Sequence, residues 1–224
     1  MSEERILYHL PLSAGSRAVR LALAEKGWDC GLVAEPVWER RDAFLALNPA
    51  GEVPVFSEGA IAVCGAGPIL EYLDDVQPDM SLIASEPAAR AECRRLCDWF
   101  ARAFHAEVVH PLLDEKVLKR FFRRGHPDSE IIRLAKAAIT THLDYIAWLV
   151  ERRRWLAGDA LSRADLVAAA EFSVVDYLGD VTWSANEVAR DWYAKIKSRP
   201  AFRALLEDYV PGVAPPRHYG NLDF

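Results

Sequence analysis

The sequence predicts an α/β domain at the amino end of the chain and an all-α domain after it, and three observations support this fold class. The chain has 224 residues, which is long for one compact domain and ample for two. Short apolar runs alternate with helical patterns up to residue 80, whereas every periodic segment after residue 87 has helical spacing. We therefore expect an α/β domain over residues 1–80, an all-helical domain over residues 87–210 and an irregular tail over residues 211–224.

The first domain contains two strands separated by a helix, then two further strands and a last helix. Apolar or aromatic runs bounded by turn residues predict strands over residues 6–10, 30–36, 51–56 and 60–63. Helical spacing predicts a helix over residues 16–26, capped by Ser16, and another over residues 67–75. The first two strands should be parallel, because a helix connects them. This order of elements is that of the thioredoxin fold.

Five helical patterns follow a linker at residues 78–87. They cover residues 88–110, 129–152, a segment after Ser162, 186–199 and 200–209. The tail contains Pro215 and Pro216 and has no helical period, so we expect it to be irregular.

The composition restricts the class of protein. No apolar run approaches the roughly 18 residues that span a bilayer, and no secretory signal is visible, so we expect a cytoplasmic protein without a membrane span. A net charge of −6 argues against nucleic acid as a partner. Cys93 and Cys97 lie one helical turn apart, but no further Cys or His pair has the spacing of a zinc site, so we expect no metal.

One segment is basic despite the acidic composition. Its cations are Lys116, Lys119, Arg120, Arg123 and Arg124, and no acidic residue lies between them. Such a run is either the solvated face of a helix or a surface that steers an acidic partner.

Two motifs in the first domain are candidates for a catalytic or ligand-binding site. The segment 11–20 places Ser13 and Ser16 beside the start of a helix, where a hydroxyl can stabilise a thiolate with help from the helix dipole. The segment 48–54 has the sequence Asn-Pro-Ala-Gly-Glu-Val-Pro.

A third motif, in residues 156–165, concerns folding. Ser162 and Asp165 have the spacing of a helix capping box. Replacing Asp165 by Ala is therefore expected to cost about 0.5–2 kcal/mol of stability.

Together the three motifs resemble those of glutathione transferases, and they lie in both halves of the chain. The resemblance implies a homodimer in which a thioredoxin-like domain precedes a helical domain. It also implies that Ser13 or Ser16 faces the sulfur of glutathione, that the Val53–Pro54 peptide is cis and that the backbone of Val53 pairs with glutathione.

One element of that family is missing. Glutathione transferases carry an acidic or amide residue followed by Ser just before a helix, and this pair binds the γ-glutamyl carboxylate. The aligned residues here are Gly65 and Ala66, and residues 62–68 contain neither a carboxylate nor a hydroxyl. Losing two charge-assisted hydrogen bonds should weaken glutathione binding by on the order of a hundredfold or more. We therefore expect no cofactor, and glutathione only if the protein is a transferase.

Longer stretches resemble one branch of the family. These are residues 17–26, 38–41, 110–113, 142–146, 176–181 and 218–224. They are similar to the glutathione-transferase-like division proteins of alphaproteobacteria, which bind filaments of the tubulin-like protein FtsZ without evident transferase use. The resemblance implies a non-catalytic protein whose partner in cell division is FtsZ polymer. A glutathione transferase acting on a small electrophile is the alternative.

Two features are candidate contacts for such a partner. Trp38 is close in sequence to Arg40 and Arg41, and exposed tryptophan and arginine are frequent hot spots at interfaces. Alternatively, Trp38 covers the local core. The tail ends in Asp223 and Phe224, which suit a docking peptide unless the tail packs on its own subunit.

Overall fold

A computed structural model describes residues 4–222, and the first domain is built on one four-stranded sheet. The strands are β1 (Arg5–His9), β2 (Gly31–Ala34), β3 (Val55–Glu58) and β4 (Ile61–Cys64), in the spatial order β2-β1-β3-β4. β1 and β2 are parallel, whereas β3 is antiparallel to both β1 and β4. The helices of this domain are α1 (Ala14–Glu25), α2 (Asp42–Leu47) and α3 (Ala66–Val76). The predicted thioredoxin-like fold class is confirmed.

The start of α1 differs from the prediction. Ser13, not Ser16, is the N-cap, because Ser13 Oγ accepts a hydrogen bond from the Ser16 N–H over 3.3 Å. Serine is a favoured N-cap residue, so the sequence alone does not show which of two serines three residues apart caps the helix.

The second domain opens with one continuous helical run over residues 87–121. It comprises α4 (Pro87–Asp98), α5 (His110–Leu113) and α6 (Lys119–Phe121), joined by the π-helical segments Trp99–Val109 and Asp114–Leu118. The prediction that this helix ends at residue 110 is wrong. A proline in a helix interior removes a donor and crowds the preceding turn, but here the turn before Pro111 is a wider π turn in which the His110 N–H donates to His105 O.

The remaining helices surround a buried central helix. They are α7 (Ser129–Val150), α8 (Arg163–Tyr177), α9 (Glu187–Lys197) and α10 (Arg203–Leu206). Every residue of α8 is buried, and its closest packing partner is α1 of the first domain. The two domains therefore share one hydrophobic core. No helix within residues 4–222 is long and apolar enough to cross a membrane.

The described part of the tail packs on its own subunit. A short 3-10 helix covers Arg217–Gly220, and its Tyr219 is 1% exposed. Tyr177 Oη donates to Val213 O over 2.8 Å and accepts from the Val210 N–H over 3.1 Å. Of the two alternatives for the tail, packing on its own subunit holds as far as Tyr219, whereas residues 220–222 are exposed. Asp223 and Phe224 lie outside the described residues.

Candidate functional site

Three segments of the predicted site meet beside the start of α1. A Cβ added at Gly15 would lie 3.4 Å from Pro54 Cδ and 3.3 Å from Ala66 Cβ. The Gly65 N–H donates to Pro54 O over 2.9 Å, which ties the start of α3 to the segment before β3. The Val53–Pro54 peptide is cis. The fold therefore brings the residues of the predicted glutathione groove together at one corner.

The two candidate serines have different surroundings at this corner. The Ser16 hydroxyl donates to Ser13 Oγ over 3.0 Å, and Ser16 is fully buried. Ser13 is half-buried and lines a cavity. The Ser13 side chain can therefore contact a ligand in the cavity, whereas the buried Ser16 hydroxyl holds the Ser13 hydroxyl in place.

The positions of the missing glutathione-binding pair offer only backbone groups. Gly65 has a φ of 86°, a conformation in which a residue with a Cβ is strained. Ala66 is the first residue of α3 and borders an interdomain cavity of about 270 Å³. Within that cavity Glu71 forms ion pairs with Arg94 at 2.9 Å and Arg163 at 3.0 Å. The hydrogen bond from Arg94 is the main cause that lowers the pKa of Glu71 to about 2, so this carboxylate stays ionised and occupied.

A second depression, here called the aromatic groove, lies between the two domains. It consists of two adjoining parts of about 300 and 440 Å³. Residues that line both parts are Leu10, Pro11, Trp38, Val117, Phe121 and Val210. Ser13 lines the smaller part, so the groove begins at the α1 corner.

Three aromatic rings form the exposed edge of this groove. The ring centroid of Trp38 is 5.0 Å from that of Phe121 and 6.0 Å from that of Phe122, both in edge-to-face geometry. The three side chains are 45%, 57% and 40% exposed respectively. Trp38 therefore neither belongs to the core nor projects freely, because it packs on rings of the second domain and keeps half its surface in solvent.

The two arginines that follow Trp38, Arg40 and Arg41, lie beside residues of their own domain. Arg41 Nε donates to Glu35 Oε1 over 3.1 Å, and Glu35 is fully buried. Arg40 has a left-handed backbone with a φ of 46°, and a Cβ added at Gly51 would lie 3.0 Å from its Nη1. Neither arginine lines the groove, and Arg41 is already engaged within its own domain.

The basic run at the end of the long helical run is partly neutralised. Three of its cations form ion pairs, Lys116 with Asp180 at 2.7 Å, Lys119 with Glu115 at 2.7 Å and Arg124 with Asp114 at 2.5 Å. In the part of the chain that the structure describes, Arg120 and Arg123 form no ion pair. Arg120 lines the larger part of the groove, where its Nη1 donates to Gly212 O over 3.5 Å, and Arg123 directly follows Phe122 in the sequence.

The sequence reasoning missed three residues of the groove. The adjacent Phe121 and Phe122 interrupt the basic run, and this pair of aromatics among cations was an available signal. Tyr209 lines the groove and is 68% exposed, but nothing in its sequence context marks it.

The capping residues of α8, Ser162 and Asp165, are buried, and neither lines the groove. Asp165 accepts from the Ser162 N–H at 3.0 Å and the Ser162 hydroxyl at 2.7 Å. It also accepts from the Leu156 N–H at 2.9 Å and from Trp192 Nε1 at 3.0 Å. Burial raises the pKa of Asp165, and these donors oppose the rise.

Two comparisons of the sequence decide the family. Residues 7–81 match the family model of the glutathione S-transferase N-terminal domain. Over all of both chains, the sequence is 45% identical to FtsZ-localized protein A of Caulobacter vibrioides. This chain belongs to the glutathione S-transferase superfamily.

Solved structures of this superfamily share the architecture. FzlA from C. crescentus is 45% identical, with a TM-score of 0.96 over 99% of this chain and 100% of that chain. A glutathione S-transferase from Rhodospirillum rubrum F11 is 51% identical, with a TM-score of 0.96 over 98% of this chain and 100% of that chain.

Proposed function

We propose that this member of the glutathione S-transferase superfamily is a non-catalytic, cytoplasmic protein that binds FtsZ filaments and regulates bacterial cell division, acting as a homodimer. The full-length relative named FtsZ-localized protein A supports the choice of partner. The observation that carries the proposal is the exposed aromatic edge formed by Trp38, Phe121 and Phe122 at the α1 corner.

The aromatic edge has the properties of an interface hot spot. Large aromatic side chains each bury extensive apolar surface when a partner covers them, and tryptophan is enriched among residues that dominate binding energy. With Tyr209, four such side chains are at least 40% exposed around one groove. This surface is therefore suited to binding a protein segment that covers the four rings.

The charges around the groove indicate the chemistry of that segment. Arg120 and Arg123 lie on the same turn of chain as the two phenylalanines. We expect the FtsZ segment to place apolar side chains in the groove and acidic side chains beside these guanidiniums.

The absent side chains at Gly65 and Ala66 support a non-catalytic role. A bound glutathione would find backbone amides but no carboxylate or hydroxyl there. Transition-state stabilisation requires that the substrate first be held in position, so a weak anchor reduces turnover as well as affinity.

A glutathione transferase remains the second candidate, because Ser13 lines the groove and the cis Val53–Pro54 peptide lies near Gly15, two residues further along the chain. Calorimetry distinguishes the two functions. The binding proposal predicts glutathione binding weaker by on the order of a hundredfold than in a transferase that retains the acidic-serine pair. Tight glutathione binding would favour the enzyme.

Co-sedimentation tests the partner directly. Purified protein should pellet with FtsZ polymerised by GTP and stay in the supernatant with FtsZ held unpolymerised by GDP. Its absence from the polymer pellet at low salt would contradict the proposal.

A further inference from the structure

The start of the tail and the two residues before it form one wall of the aromatic groove. Tyr209, Val210, Pro211, Gly212 and Val213 line the larger part of the groove, facing Trp38 and Phe121. The wall is a tight turn: the Val213 N–H donates to Val210 O over 3.0 Å, and Gly212 has a φ of 80°. The groove is therefore shaped by the first domain, the long helical run and the tail together.

A single buried guanidinium connects the tail to the opposite wall. Arg17 Nε donates to Pro11 O over 2.5 Å, and Pro11 lines the groove. Arg17 Nη1 donates to Tyr219 Oη over 3.0 Å, and its Nη2 pairs with Asp208 at 3.2 Å. Asp208 and Tyr219 lie on either side of the wall in sequence, so Arg17 holds both ends of the tail segment and the loop that faces it.

Neither Arg17 nor Tyr219 touches the groove. Arg17 is fully buried and Tyr219 is 1% exposed, and neither belongs to the groove lining. Tyr219 Oη also donates to Leu205 O over 3.1 Å, which fixes the ring from a second side. Any effect of these residues on binding must therefore act through the position of the walls.

We infer that Arg17 and Tyr219 are positioning residues that set the spacing of the groove walls and so tune the affinity of the groove for its partner. The inference rests on the proposed function, because the groove is taken as the FtsZ site. Releasing Tyr219 removes one restraint on the wall at residues 209–213 and leaves Tyr177 and the Arg17–Asp208 ion pair to hold it. The wall then moves more, and a partner must order it on binding. The free energy spent on ordering the wall lowers the affinity, although no direct contact with the partner is lost.

The neighbouring residue holds the same segment independently. His218 Nε2 lies 3.3 Å from Asp176 Oδ1, and His218 O accepts from Lys197 Nζ over 3.4 Å. Removing Tyr219 alone therefore loosens the tail, whereas removing both residues leaves it held only at residues 208–213, by Arg17 and Tyr177 among others.

The experiment compares single-hydroxyl variants and two truncations in FtsZ-polymer binding. Tyr219→Phe should weaken binding about tenfold, the equivalent of one hydrogen bond to a charged group. Tyr72→Phe is the matched control, since it removes a tyrosine hydroxyl that donates to Glu58 at 3.0 Å on the sheet. A chain ending at Gly220 should bind like the wild type. A chain ending at Arg217 should bind at least as weakly as Tyr219→Phe, although it keeps the whole groove lining.

Amide hydrogen exchange of the free protein provides a readout that does not depend on FtsZ. The Val210 amide should exchange about tenfold faster in Tyr219→Phe and at the wild-type rate in Tyr72→Phe, because its acceptor, Tyr177 Oη, lies outside the wall and protects it only while the wall is in place. Unchanged FtsZ affinity in Tyr219→Phe overturns the inference. If the wild type fails to bind FtsZ, the proposed function falls instead, and unchanged exchange at Val210 then overturns the inference as well.

Discussion

Arg17 donates a hydrogen bond to Tyr219 Oη over 3.0 Å, although 202 positions separate the two residues in the sequence. The contact makes the tail part of the subunit core as far as Tyr219. Deleting the tail from residue 211 would therefore remove a wall of the groove together with its anchor. A separate role for Asp223 and Phe224 can be tested only by a truncation that keeps Tyr219.

The buried carboxylate of Asp165 should be worth more than the sequence indicates. Asp165→Ala leaves the N–H groups of Leu156 and Ser162 and the indole of Trp192 without their acceptor in the core. We expect a loss of about 3–5 kcal/mol in the free energy of unfolding, measured by urea denaturation.

Ser162→Ala is the control for that prediction. It removes one hydroxyl but leaves the Asp165 carboxylate with its other donors, so the expected loss is about 1 kcal/mol. Equal losses in the two variants would show that Asp165 acts only as half of a capping box.

Protonation of His9 should destabilise the protein at pH values above those at which carboxylates ordinarily titrate. Burial, reinforced by Arg20, lowers the pKa of His9 from 6.5 to about 4 in the folded protein. The folded state therefore binds this proton less well than the unfolded state does. The stabilising contribution of neutral His9 is complete above pH 6.5 and is lost as the pH falls towards 4.

The measurement is the free energy of unfolding between pH 7 and pH 4 in the wild type and in His9→Asn. The wild type should lose about 2 kcal/mol more than the variant over this interval. Other titrating groups are common to both proteins and cancel in the difference. Parallel curves would contradict the assignment to His9.

Turnover with chlorodinitrobenzene and glutathione should be undetectable or trivial, because no side chain at Gly65 or Ala66 can hold the γ-glutamyl carboxylate. Ser13→Ala should leave that rate unchanged. Robust turnover that Ser13→Ala abolishes would establish the transferase instead.

The association with FtsZ should weaken as salt rises, since part of the attraction comes from exposed charge. Arg123→Glu should weaken binding several-fold at low salt and flatten the salt dependence. Arg154→Glu makes the same charge change at an exposed position outside the groove and should have little effect. If both substitutions weakened binding equally, binding would depend on the net charge of the protein and not on the charge beside the groove.

The elements of the fold could be predicted because their signals are local. Alternating apolar runs and helical spacing located all four strands and most helices to within a few residues. The continuation of the helix beyond His110 was missed because the π turn that accommodates Pro111 has no distinct sequence pattern.

The groove could be predicted only in part. Trp38 was recognised as exposed from its neighbours, but its partners Phe121 and Phe122 are brought to it by the packing of the two domains. The ion pair of Arg41 with Glu35 and the contact of Arg17 with Tyr219 depend on tertiary distances as well. Such contacts carry no periodicity that a single sequence can display.

The most direct test of the account is co-sedimentation of Trp38→Ala and Trp148→Ala with FtsZ polymer. Trp148 is the matched control, because it is 49% exposed and lies on α7 against Arg152, outside the groove. Circular dichroism and light scattering should first show that both variants are folded and have the wild-type oligomeric state. The account predicts that Trp38→Ala binds about thirtyfold more weakly, the equivalent of about 2 kcal/mol, while Trp148→Ala pellets like the wild type. Wild-type pelleting of Trp38→Ala would contradict it.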